Sequence, residues 1–485
     1  MTRAQSITAT MFRRKPVRGA GAPGEAADDP HLKRSIGTFQ LTLFGVGATV
    51  GTGIFIVVPE AISKAGPAVL IAFVVAGLAA GLAAICYAEM ASAVPVSGSS
   101  YSYAYATLGE VVAVGIGACL MLEYGVSAAA TSIGWGQYLN ELLDNLFGWH
   151  IPDALNAAPW GVDDPGIVNL PSVILVVLCG LLLIRGASES AMVNTVMVLI
   201  KLGVLLLFAA VCLTAFTSSH FSPFMPEGMA GVTAAAAVIF FTFIGLDAVS
   251  TAGDEVRNPQ KAMPRAIIGA LVVVTGIYLL TALASIGAQV WTDFDPDDSA
   301  SLSVLANSVT GSTWVGTIIA AGAVISIFSV TLVVIYGQTR ILFAMGRDGL
   351  LPSAFAKVSS TTSVPVNNTV VVCAAIALLG GFVPIDKLWD LVSVGTLAAF
   401  IVVSIGVIIL RRTMPDLPRP FRVPGYPVTP VLSVAACVWI LSGLAPVTFL
   451  FFGAWVAAAL LFYFLWGRRH SKLNSTTPDS DGALT

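Results

Sequence analysis

The sequence predicts an all-α polytopic membrane protein with about twelve transmembrane helices. Three observations predict it. Nearly charge-free apolar runs recur from Phe39 to Trp466, each long enough for the ~20 residues that a helix needs to cross a bilayer. Only 11% of the 485 residues are charged and mean hydropathy is +0.87, whereas soluble domains carry about 25% charged residues. The runs are continuously apolar rather than alternating over short strands, which excludes a β-barrel.

Taken in order, the spans are expected at 38–64, 67–93, 100–130, 168–187, 189–216, 231–255, 263–290, 313–339, 366–384, 386–410, 428–446 and 448–467. Residues 132–147 read as a short helix lying on the surface. Residues 1–35 are polar and are expected to form a disordered cytoplasmic tail, with no signal peptide because no short apolar region with a cleavage site follows Arg13-Arg14-Lys15. Residues 468–485 form a second polar tail. All of the 24 lysines and arginines except Lys64, Lys201 and Lys387 fall in the two tails or after spans four, six, eight and ten. Acids such as Asp144, Asp153, Asp163, Asp164, Glu227, Asp293, Asp295, Asp297 and Asp298 collect on the other side. By the positive-inside rule, both termini of this multi-pass chain are expected in the cytoplasm of a cell-membrane protein.

Several function classes drop out. The six cysteines lie in apolar runs without metal-ligand spacing, and the four histidines lie outside the runs or at their edges. There is no HExxH, GxSxG or GxxxxGK[ST], so no enzyme, metal, cofactor or ATP-driven role is expected. A channel would call for rings of charge or a repeated filter. No nucleic-acid partner is expected.

Span one contains Gly45-Val46-Gly47-Ala48-Thr49-Val50-Gly51-Thr52-Gly53-Ile54-Phe55. Glycine inside a helix costs roughly 1 kcal/mol relative to alanine, and a backbone hydrogen bond lost in lipid must be replaced internally. A helix opened here would offer N–H and C=O groups to a polar substrate; the same glycines would also serve close helix packing. Span six is interrupted too, at Gly245 and Asp247, with Ser250-Thr251 behind them. Asp247 is read as a cap on the second half-helix. Interrupted spans in corresponding positions of two halves point to a transporter binding site. Spans 1–5 and 6–10 would then be inverted repeats, residues 36–411, with spans 11 and 12 (residues 412–467) appended. Helix N-termini attract an anionic group, and helix C-termini and free carbonyls a cation. A zwitterionic α-amino acid fits both.

Four stretches carry a family resemblance: Gly51 to Phe55; Cys86 to Ala91 through Pro95 to Ser99; Phe240 to Asp247 continuing into Asp254 to Pro259; and Gln338 to Ile341 through Ala344 to Pro352. Over residues 35–467 the chain resembles the amino acid–polyamine–organocation superfamily, cationic amino acid transporter branch. The resemblance implies a LeuT-type fold of two inverted five-helix repeats, working by alternating access. It implies that N–H groups at Thr52, Gly53 and Ile54 hold the substrate carboxylate, and that carbonyls near Thr49, Val50, Phe243 and Ile244 hold its amino group. At Val58-Pro59-Glu60 the chain departs from the family pattern, and Glu60 is expected in the external vestibule or in water.

Lys201 lies about 18 Å along span five. A charge there costs about 3 kcal/mol or more. It is either half of a structural ion pair or, as the resemblance favours, a built-in cation replacing sodium between spans one, five and eight. Transport would then be sodium-independent, with protons as a coupling partner. Glu123, inside span three, would pair with a cationic substrate side chain, carry a proton, or bond another buried polar group. Glu89 near the end of span two reads as gating or structural. Ser329 and Thr331 of span eight are candidates for side-chain selectivity. The basic loop Arg257–Arg265 and its counterpart Arg340–Lys357 are expected to meet the inner gate and membrane lipids. The expected substrate is a cationic amino acid (arginine, lysine or ornithine), with small neutral amino acids second and polyamines third; a transporter-like sensor is the reading from another class.

Overall fold

The computed structural model describes residues 12–15, 35–96, 98–159, 166–294, 301–384, 388–442, 444 and 446–474, with backbone alone at 52, 187–191, 301, 389 and 390. Among these the chain is helical throughout, with one isolated parallel bridge between Ile36 and Val256. Much of both tails, and Asp163, Asp164, Asp295, Asp297, Asp298 and Ser97, lie outside the described residues.

Helices fall on every predicted span. Span one is Thr38–Thr49 and Thr52–Ala65; span two, Val69–Ala93; span three, Glu110–Phe147; span four, Leu170–Arg185; span five, Ala187–Thr214; span six, Gly228–Phe240 and Ala248–Thr251. Span seven is Pro259–Ala288; eight, Thr313–Arg347; nine, Val366–Phe382; ten, Trp389–Thr413; eleven, Val428–Leu441; twelve, Pro446–Phe462. Among the described residues, eight helical stretches are long and apolar enough to cross a membrane, and Leu170–Arg185, Val366–Phe382 and Val428–Leu441 are shorter apolar helices. The protein is a multi-pass membrane protein.

Three expectations are corrected. Residues 132–147 are no separate surface helix but the last turns of span three, a single helix from Glu110 to Phe147. Its buried residues Gly134, Trp135, Gly136 and Tyr138 face other helices, so the apolar stripe never breaks even as polar residues accumulate. Span three does not begin at residue 100: Ser99–Thr107 is its own helix, ended by Gly109 at φ 103. Span eight runs past residue 339 to Arg347, because Gln338, Thr339 and Arg340 are buried rather than in a loop.

Packing is most extensive between spans three and eight and between two and seven. Span two buries Ala72, Ala76, Ala79, Ala80, Ala83 and Ala84. Small side chains let backbones approach, which is how helices associate where water supplies no hydrophobic drive. Span twelve stands on the outside of the bundle: Thr448 is its one buried residue between Pro446 and Phe462.

The face rich in basic residues is closed by polar contacts. Ser35 and Ile36 donate backbone N–H groups to the Glu255 carbonyl, and Arg257 N–H donates to Ile36. Buried Arg340 pairs with Glu255 at 2.9 Å and lies 3.9 Å over the Tyr336 ring, while Tyr336 donates to Glu255 at 2.6 Å. Arg347 pairs with Asp254 at 3.2 Å. Within the N-terminal tail, Arg13 pairs with buried Glu110 at 2.8 Å and Lys15 with Asp348 at 2.5 Å. Glu110 also accepts from Tyr105, Tyr463 and Ser471, so the C-terminal segment shares this anchor.

Candidate functional site

The site is built on the two breaks. In span one the helix stops at Thr49, Val50 is extended (φ −78, ψ 98), and Gly51 (φ −154, ψ −141) starts a new helix of 14 residues with no side-chain cap. The first N–H groups of a helix have no intrahelical acceptor, so those at Thr52, Gly53 and Ile54 converge at the positive end of a helix dipole. Val50 and Ile54 are fully buried. A Cβ on Gly53 would stand 3.0 Å from the Thr242 Cα, so the two broken spans meet here.

Span six breaks differently. Gly228–Phe240 tightens into a 3₁₀ turn at Phe241–Phe243, Ile244 is extended (φ −64, ψ 141), and Gly245 has φ 103. A Cβ on Gly245 would stand 2.6 Å from the Ala48 carbonyl oxygen, and the left-handed φ excludes most other residues as well. Beyond the break the chain makes one helical turn, Ala248–Thr251, and then a second 3₁₀ turn.

Three of the carbonyls freed in span one, those of Gly47, Thr49 and Val50, meet side-chain donors. Lys201 Nζ donates to the Gly47 carbonyl at 2.9 Å and the Val50 carbonyl at 2.5 Å, with Ser329 Oγ at 3.5 Å. Ser326 Oγ also donates to Val50 at 3.3 Å, and Ser329 donates to Asn194 at 2.7 Å. Lys201 is fully buried and has no carboxylate partner among the described residues, so the ion-pair reading is not what the structure shows. Its ammonium sits where spans one, five and eight meet. The Thr49 carbonyl accepts from Tyr278 Oη at 2.8 Å, and so does the Thr242 carbonyl, also at 2.8 Å. Of the carbonyls expected to face an amino group, Thr49 and Val50 therefore already have protein donors.

Asp247 occupies the N-cap position; its carboxylate lies by the backbone N–H of Ala248 but makes no regular cap hydrogen bond deeper in the first turn. Its carboxylate instead accepts from Tyr124 at 2.6 Å and Ser99 at 3.4 Å, with Oδ1 unpartnered. The helix behind it is too short to gather orphan N–H groups, and the neighbouring hydroxyls are better donors. Glu123 is buried near Asp247 and Thr396, with Oε2 unpartnered and no cation in contact among the described residues. Phe243 is buried edge-on to Tyr278, and Phe240 to Phe400.

The remaining candidates lie elsewhere. Glu89 takes two bonds from Arg411, at 2.8 and 2.5 Å, and one from the Val423 N–H at 2.6 Å, tying span two to the last turn of span ten and to the linker that follows it. Ser329 belongs to the Lys201 network, and Thr331 bonds Thr131 at 3.2 Å. Glu60 pairs with Lys64 at 2.6 Å, both partly exposed. Sequence reasoning missed Tyr278, Asn194 and Tyr124. Tyr278 and Tyr124 had a signal, each a polar atom well inside an apolar span; Asn194, close to the start of span five, had none.

Known proteins share this chain's sequence over nearly its whole length. The model of a family described as amino acid permease matches residues 36–466. The methylthioribose transporter of Bacillus subtilis (strain 168) is 43% identical over 466 residues, 96% of this chain and 99% of its own length. The branched-chain amino acid permease BcaP of the same strain is 44% identical over 468 residues, again 96% and 99%. Cationic amino acid transporter 4, vacuolar, of Arabidopsis thaliana is 35% identical over 398 residues, 80% of this chain and 65% of that one. These relatives are transporters, which agrees with reading the chain as a transporter and not an enzyme. The chain belongs to the amino acid permease family.

Proposed function

We propose that this protein is a secondary active transporter that carries α-amino acids across a cell membrane by alternating access. Spans one to ten (residues 36–411) form a LeuT-type pair of inverted repeats, residues 412–467 add two helices, and both termini are cytoplasmic. The observation that carries the reading is the uncapped helix start at Gly51, deep in the protein and touching the second broken span. The N–H groups of Thr52, Gly53 and Ile54 receive the carboxylate. The amino group is received between the breaks, at the carbonyls of Phe243 and Ile244 and at a share of the Thr49 carbonyl. Lys201 provides a built-in ammonium where a sodium ion would otherwise hold the break in span one, which makes transport sodium-independent, and release and uptake of its proton give protons a route into the cycle.

For the side chain, a neutral aliphatic amino acid is the first choice. It is supported by the 44% identity to a branched-chain permease over almost the whole chain and by the aromatic surroundings of Phe240, Phe243 and Phe400. A cationic amino acid is the second reading. It is favoured by the unpartnered oxygens of Glu123 and Asp247 and by the cationic transporter relative. The test is uptake of labelled L-leucine and L-arginine into proteoliposomes of purified protein, with imposed pH or sodium gradients. Leucine uptake driven by a pH gradient and indifferent to sodium is expected. Arginine uptake abolished by Glu123→Gln would move the assignment to the cationic reading, and uptake of neither would overturn the function.

A further inference from the structure

We infer that Tyr278 is the residue that positions the two breaks relative to each other, and that it leaves one carbonyl acceptor open for the substrate's ammonium group. The inference rests on the amino acid transport reading and deepens it. Tyr278 stands in span seven and is fully buried. Its hydroxyl lies 2.8 Å from the Thr49 carbonyl of span one and 2.8 Å from the Thr242 carbonyl of span six. A phenol carries one hydrogen. Two acceptors therefore compete for one donor, and at any moment one of them goes without.

Both carbonyls belong to the breaks. Thr49 is the last residue of the first half-helix, so its carbonyl is among those a helix end leaves without an intrahelical donor. Thr242 lies in the 3₁₀ turn just before the extended Ile244, where the helical run of span six stops. The phenol ring cannot swing away from them. It is held edge-on by Phe73 at 6.1 Å and by Phe243 at 5.3 Å between centroids. Span seven itself packs along span two and against the first half of span one. One hydroxyl on a firmly seated helix thus fixes the distance between the two broken spans.

An α-ammonium group brings three N–H donors. Bound between the breaks, it supplies the hydrogen that Tyr278 cannot give to both carbonyls at once. The empty site is one donor short and the occupied site is complete. This gives the ammonium group a recognition element separate from the carboxylate cradle at Gly51 to Ile54. It also links occupancy to the mutual position of spans one, six and seven.

The test separates the ammonium from the rest of the ligand. Tyr278→Phe keeps the ring and its aromatic packing and removes only the hydroxyl. Purified full-length wild-type and variant proteins in proteoliposomes would be compared for uptake of L-leucine, and for its inhibition by 4-methylpentanoate, which keeps the carboxylate and the side chain and has no donor on Cα. L-Arginine with 5-guanidinopentanoate covers the cationic reading. In the variant the Thr49 and Thr242 carbonyls lose the hydroxyl that holds them in place, so the acceptors of the ammonium are displaced and KM for the amino acid is expected to rise about tenfold, the scale of one misaligned hydrogen bond to a charged group, while the inhibition constant of the ligand without the ammonium moves less than about twofold. Equal weakening of both ligands, or no change in either, overturns the inference. Absence of wild-type uptake for both amino acids overturns the functional reading instead. If Tyr278→Phe is not recovered folded, 3-fluorotyrosine at position 278 keeps ring and hydroxyl but strengthens the donor. A changed ratio of the two affinities then supports the inference, and an unchanged ratio overturns it.

Discussion

The two broken spans look alike in sequence and differ in structure. Span one stops at Thr49 and restarts as a 14-residue helix, whereas span six unwinds through a 3₁₀ turn, an extended residue and a left-handed glycine into a single helical turn. A helix needs several aligned peptide units to build a positive N-terminus. Span one therefore offers an anion cradle and span six does not. Span six offers bends, carbonyls and an acid anchored on Tyr124. One physical difference lies in the residues after each glycine: Ile54 to Val58 is an unbroken apolar run that packs inside the protein, while the hydroxyls of Ser250 and Thr251 bond back to the carbonyls of Asp247 and Ala248.

The comparison can be broken or sharpened by four substitutions. The largest effect is expected from Gly53→Val. Its side chain would enter the space held by Thr242 and cover the cradle, so amino acid-induced thermal stabilisation of the purified protein should vanish. A variant that still binds would return the glycines of span one to a packing role. Next is Lys201→Ala, which leaves the Gly47 carbonyl without its Nζ donor and takes one donor from Val50. Initial uptake should fall at least about tenfold, from loss of hydrogen bonds to a charged group, and the residual rate should lose its dependence on pH. Normal uptake with an unchanged pH profile would remove Lys201 from coupling. Gly245→Ala tests the second break. Left-handed strain for a non-glycine residue costs of order 1–3 kcal/mol, and the contact with Ala48 adds to it. The unfolding midpoint in detergent should drop, and a rise would mean that span six tolerates a regular helix here. The smallest effect belongs to Asp247→Asn. It keeps the acceptor for Tyr124 but trades a charge-assisted bond for a neutral one, at about 1 kcal/mol. Leucine affinity should stay within about threefold, because the carboxylate cradle lies in the other span; a large loss would restore symmetry between the breaks.

Much of this protein was legible in its residues because the bilayer restricts what a chain can do. Continuous apolar runs of spanning length admit only helices, and a glycine-rich stretch within one marks where backbone bonds are given up. The positions of the spans, the two breaks at Gly51 and Gly245 and the unusual depth of Lys201 all come from composition along one dimension. Helix ends were less legible. Buried polar residues such as Gln338 and Arg340 read as loop until Glu255 and Tyr336 are seen around them. Asp247 read as a cap because capping is a local rule, and Tyr124 lies in another span.

The membrane-spanning helical architecture and the two places where it opens follow from the residues in order, since hydropathy and glycine act locally. Which groups answer the opened backbone was decided by tertiary structure alone. Lys201 meets the span-one carbonyls, Tyr278 bridges Thr49 and Thr242, and Arg13 reaches Glu110 across a sequence separation of 97 residues. Each is a single polar atom whose partner is set by how helices pack, and helix packing in lipid leaves no periodic signal in the chain that would name the neighbour.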